Sequence, residues 1–113
     1  MIQIIKNPIS KQELEKFLGN PFSDMVKFVV DIQQGVIALG GELHADAEAI
    51  LLEHGSKQSN LWGANIYPSK PKETRIEYTS LINIRPAASN NSMEVKNETV
   101  RNSIKTIVDR LIP

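Results

Sequence analysis

Apolar and polar positions along this chain alternate, recur or break off so as to predict its elements one after another. Ile2-Gln3-Ile4-Ile5 predicts a short strand that ends before Asn7-Pro8, since proline disfavours helical backbone in the residue preceding it. Ser10-Lys11-Gln12-Glu13 is a capping box, with the Ser10 hydroxyl accepting from the Glu13 amide and the Glu13 carboxylate returning to Ser10. Ile9 and Leu14 stand at the staple positions around it. Leu14, Phe17 and Leu18 supply one apolar face, and Gly19 stops the helix. Beyond Asn20-Pro21, the runs Val26–Asp31 and Val36–Leu39 flank Ile32-Gln33-Gln34-Gly35 and predict a hairpin with Gly35 at positive φ. Both runs are apolar on both faces, which places this hairpin centrally in a sheet.

A helix is predicted from about Asp46 to His54, capped by Gly55, with Ala47, Ile50, Leu51 and His54 on one stripe. Leu61–Tyr67 and Arg75–Arg85 then form a second hairpin around the polar loop from Pro68 to Glu73. In its later strand Ile76, Tyr78, Ser80, Ile82 and Ile84 point one way. Arg75, Glu77, Thr79, Asn83 and Arg85 point the other, and Leu81 breaks the alternation. The expectation is that Ile76, Tyr78, Ile82 and Ile84 are buried against the last helix and that the opposite face is polar. Asn97 caps that helix, in which Val100, Ile104, Ile107, Val108 and Leu111 recur at helical spacing. The order is βαββαββα. It predicts a single α+β domain over residues 1–113, with a mainly antiparallel sheet of about five strands and three helices packed largely on one face.

Composition narrows the function classes. The 113 residues are 41% hydrophobic, enough for one domain with one core. No apolar run approaches the roughly 20 residues of a membrane span, and Met1–Lys6 is too short for a signal peptide. With no cysteine there is neither a disulfide framework nor a thiolate metal site. A cytoplasmic protein is the expectation. Thirteen basic residues balance thirteen acidic ones and are scattered, which argues against nucleic-acid binding.

Candidate chemistry gathers at Gly40-Gly41-Glu42-Leu43-His44-Ala45-Asp46-Ala47-Glu48, where one imidazole and three carboxylates follow two glycines. His44 and Glu48, four apart, share a helical face, while Asp46 joins them only on extended backbone. With Asp31 they are the catalytic candidates, and His44, Asp46 and Glu48 are the candidate ligands of a divalent metal. The competing reading is a plain helix entry, where acids suit the positive end of the helix. A second group, Asn83 and Arg85 with Asn65 and Asn90, suits a small anionic ligand, because a guanidinium beside an amide recognises carboxylate or phosphate. Against this, Arg85 pairs equally well with Glu77, Asp31 or Glu48. Trp62 reads as core, and His54 as a last-turn residue at the helix's negative end. Two function classes follow. One is a non-catalytic binding or assembly module with a polar sheet face, a two-fold homodimer among its forms. The alternative is a small metal-assisted hydrolase or phosphate-handling enzyme using His44, Asp46 or Glu48, and Arg85.

Taken together, Val29-Val30-Asp31, Gly40–Asp46, Gly55-Ser56-Lys57-Gln58, Leu61–Pro68 and Ile82–Pro86 resemble the bacterial family filed as domain of unknown function 5674. The resemblance covers nearly the whole chain and implies a small stand-alone intracellular protein, with no activity attached. Asn91 departs from it, standing where an arginine is common after the loop asparagine.

Overall fold

The computed structural model describes residues 1–113, and every predicted element has a counterpart in it. Strand β1 (Ile2–Ile5) is followed by helix α1 (Lys11–Glu15), strands β2 (Val26–Asp31) and β3 (Val36–Gly40), and helix α2 (His44–Glu53). Strands β4 (Leu61–Ile66) and β5 (Ile76–Glu77) and helix α3 (Glu98–Leu111) complete the order. The sheet is antiparallel throughout and runs β1-β3-β2-β4-β5, so the first hairpin is central. Local signals act as the sequence indicates. Ser10 and Glu13 close the capping box at 3.1 and 3.2 Å, Asn97 Oδ1 accepts from Val100 N at 3.0 Å, and Gly35 turns the hairpin at φ +70°.

Period two divides the strands between two unequal layers. Val26, Phe28 and Val30 of β2, with Ile37, Leu39, Trp62, Ala64 and Ile66, face Ile104, Ile107, Val108 and Leu111 of α3 in a core of 17 buried residues that includes Leu14 and Phe17. The other face is thinner. Val29, Ala38 and Leu61 meet Ala47 and Leu51 of α2, with Ile2, Ile4, Val36 and Ile82 half-buried around them. The helices therefore occupy both faces: α1 and α3 share the thick one, as expected, and α2 lies alone on the thin one.

The predicted strand from Arg75 to Arg85 is much shorter than its alternation suggests. Ladder pairing stops after Glu77, Thr79 makes only an isolated bridge to Glu94, and Leu81–Asn83 is a single 3₁₀ turn. Ile76 and Tyr78 pack against the thick core, but Ile82 has crossed to the α2 layer and Ile84 is 47% exposed. Gly63 is the physical reason. A Cβ there would stand 2.6 Å from Ser80 Cβ, so only glycine lets the chain fold down onto β4, and Ser80 Oγ starts the turn by accepting from Ile82 N.

The outer edge of β4 is then finished by side chains. Asn65 pairs with Glu77 of β5. Two residues back, the Asn83 carboxamide replaces a strand: Gly63 N donates to its Oδ1 at 2.8 Å, and its Nδ2 donates to Gly63 O at 2.9 Å. Two residues further, the Arg85 guanidinium donates to Leu61 O. Unpaired backbone on a buried edge costs free energy, and these two side chains remove that cost. The polar sheet face expected from the second hairpin is consequently no open surface. Self-association is expected at an open face or an edge, and the two edge strands of the sheet are β1 and β5.

Candidate functional site

A cleft of about 340 Å³ opens on the thin layer, between the start of α2 and the folded-down segment after β5. Its floor is a cross-strand pair, Lys27 of β2 opposite Asn65 of β4. Leu43, His44 and Ala45 form one wall, and Thr79, Ser80, Leu81, Ile82 and Met93 the other. Six large hydrophobic residues of the chain are substantially exposed, and three of them, Leu43 (60%), Leu81 (71%) and Met93 (40%), line this cleft. Exposed apolar side chains clustered around polar groups mark an interaction site better than singly scattered ones.

Three features give the cleft its electrostatics. Leu43 holds the N-cap position of the ten-residue helix α2 and offers no side-chain cap, so the positive helix end is left open there. Lys27 adds a full positive charge, while the acids Glu42 and Asp46 are exposed and lie outside the lining. His44 is buried, and one of its nitrogens, Nε2, lies 2.8 Å from Ala64 O. A carbonyl only accepts, so Nε2 carries the ring proton and the neutral ring keeps its lone pair on Nδ1. Burial holds the imidazole below its ordinary pKa, and Lys27 pushes it the same way. The Ala64 carbonyl and the Asn65 amide act against them.

The remaining candidates are dispersed. His44, Asp46 and Glu48 form no metal-holding group, nor do any other three His, Asp or Glu side chains. On helical backbone Asp46 points away from His44, and residue 44 is already helical. Asp31 is fully buried at the opposite end of α2. Its carboxylate accepts from Gln33 N, Gln34 N, Gln34 Nε2 and Ser56 Oγ, a turn-fixing set. Asn90 donates to Asn83 O, Ser92 O and Glu94 O and accepts from Lys96 N, stapling its loop. Arg85, besides Leu61 O, donates to Gln58 O and Ile82 O and lies 4.6 Å over the Trp62 ring. Burial lowers the Arg85 pKa, and the Glu48 charge acts to raise it. Asn83, Asn90 and Arg85 thus hold backbone, and of the four ligand candidates only Asn65 lines the cleft. His54 sits at the end of α2, its Nδ1 at 2.8 Å from Ile50 O.

Sequence reasoning missed Lys27 and the apolar rim, although signals existed. Lys27 is the lone cation in an apolar strand, Leu43 is an apolar residue at a helix entry, and Leu81 is the residue that breaks the alternation.

Fold and site define a small α+β domain with one amphipathic cleft at an uncapped helix start. The chain belongs to the family described as "Protein of unknown function (DUF5674)", whose model matches residues 3–111. No curated protein and no solved structure matches it. No helix is long and apolar enough to cross a membrane.

Proposed function

We propose that the protein is a non-catalytic binding module whose cleft takes a small amphipathic anion. Its charged group lies at the start of α2 beside Lys27, and its apolar part lies between Leu43, Leu81, Ile82 and Met93. One observation carries this reading: half of the chain's strongly exposed large hydrophobics rim the one cleft that also holds an uncapped helix start and a lysine. A helix N-terminus and an ammonium both favour anions, and the apolar rim gains from losing water. The hydrolase alternative finds less support, since no carboxylate lines the cleft beside His44.

Isocaproate, a branched aliphatic carboxylate, is a suitable probe, with its neutral amide as control. Titration should shift the backbone amide NMR signals of Leu43 to Asp46 with isocaproate and not with the amide. Lys27→Gln should weaken binding roughly tenfold. If isocaproate and its amide perturb the same residues equally, the anion-binding reading is wrong.

A further inference from the structure

Asn65 carries an acceptor that lies beside the His44 ring and, with that ring neutral, has no donor. The residue is 6% exposed and its Oδ1 has no hydrogen-bond partner. Its orientation is fixed, because Nδ2 donates to Glu77 Oε1 at 2.8 Å and a carboxylate only accepts. Oδ1 therefore cannot exchange places with Nδ2 without losing that bond. Buried acceptors without partners are rare, and each one asks for a donor. Nothing in the strand pairing needs this oxygen: Asn65 already pairs with Glu77 through its backbone.

Its position names the donor's place. Asn65 stands directly across from Lys27 on the cleft floor, and the His44 ring, with its lone pair on Nδ1, forms the adjoining wall. The cleft thus pairs a cationic pole, Lys27 with the start of α2, with an acceptor pole, Asn65 Oδ1 and His44 Nδ1. A ligand that satisfies both has an anion and an N–H donor close together, attached to an aliphatic group for the rim. Resting on the binding reading above, we infer that the cleft recognises an N-acylated aliphatic amino acid, whether free or as the C-terminal residue of a peptide. Its carboxylate lies at Lys27 and the start of α2, and its amide N–H donates to Asn65 Oδ1. The oxygen is covered in this conformation, so the inferred contact requires the cleft wall to shift.

Three ligands separate this from the simpler reading: isocaproate, N-acetyl-leucine, and the same compound methylated on its amide nitrogen. N-acetyl-leucine should bind about tenfold more tightly than either of the others, the value of one well-made hydrogen bond to a buried acceptor. In Asn65→Leu that advantage should vanish while isocaproate still binds, which also shows that the variant is folded. The methylated ligand tests the same bond on the unaltered protein. Equal affinity of N-acetyl-leucine and its methylated form overturns the inference and leaves the anion-binding cleft standing. Failure of all three carboxylates to perturb the cleft overturns both. Longer peptides ending in leucine distinguish the sources. Affinity equal to or above that of N-acetyl-leucine assigns a peptide terminus, and clearly weaker binding assigns the free acid.

Discussion

The two faces of the sheet are built on different principles. The thick face is closed by α3 mainly through apolar contact, with Ile104, Ile107, Val108 and Leu111 turned to the sheet, and buried Arg75 ties down its end through Asp109 and Ile112 O. The thin face has one short helix over a small cluster and completes its coverage with polar staples, Asn83 on Gly63 and Arg85 on Leu61. Hydrophobic coverage is non-directional and leaves no addressable groups. Coverage by a short helix and a folded-down loop leaves a seam between them, and that seam is the cleft. In this protein the face that contributes less to the core is the one that carries the cleft.

Core truncation should break the comparison most severely. Ile104→Ala, at a fully buried α3 position, should cost about 2–5 kcal/mol in chemical denaturation. Leu51→Ala, equally buried but in the small cluster, should fall at the lower end of that range. If Leu51 costs more than Ile104, the ranking of the two layers is wrong. Next comes Asn83→Ala, which leaves Gly63 N–H and C=O without partners and should destabilise by about 2–4 kcal/mol.

Much of this architecture was legible in the sequence, and what was not has a physical cause. Elements with their own punctuation were readable: the Ser10 and Asn97 caps, Gly35 in the hairpin, and the helical repeat of α3 state their structure within a few residues. The segment after β5 was not. Its alternation from Arg75 to Arg85 is real as a pattern, but period two reports burial, and Ile82 and Ser80 are buried here by folding onto Gly63 rather than by lying in a ladder. The cause sits some 20 residues away in sequence, in a side chain that is missing. Among site candidates, polar type was readable and engagement was not. Asn65, Asn83 and Asn90 look alike as letters, yet two have their amides engaged by backbone and one keeps an acceptor unpaired. Metal binding through His44, Asp46 and Glu48 depended on where the helix starts, two residues earlier than predicted.

Arg85→Ala sharpens the comparison between staple and site. Loss of its three carbonyl contacts and its Trp62 stacking should cost about 1–2 kcal/mol. Because Arg85 does not line the cleft, isocaproate affinity measured by calorimetry should stay unchanged. A large loss of affinity with unchanged stability would return Arg85 to the role of ligand-binding residue.

The smallest effect expected is one of pH. His44 in the unfolded chain titrates near about 6.5, and in the fold its pKa is lower, because burial penalises the imidazolium and Lys27 repels it. A group whose folded pKa is depressed contributes its full share of stability above the unfolded value. That share is lost as pH falls through 6.5 towards the folded pKa, where the unfolded state binds the extra proton. Below the folded value both states are protonated and the loss levels off. Comparing denaturation of the native chain with His44→Gln from about pH 7.5 to about pH 5 isolates the effect. Glutamine keeps an N–H for Ala64 O and removes the titration. The native chain should lose stability on acidification relative to the variant. If the two curves stay parallel, the His44 ring is solvated, and the thin face is open more deeply than its packing indicates.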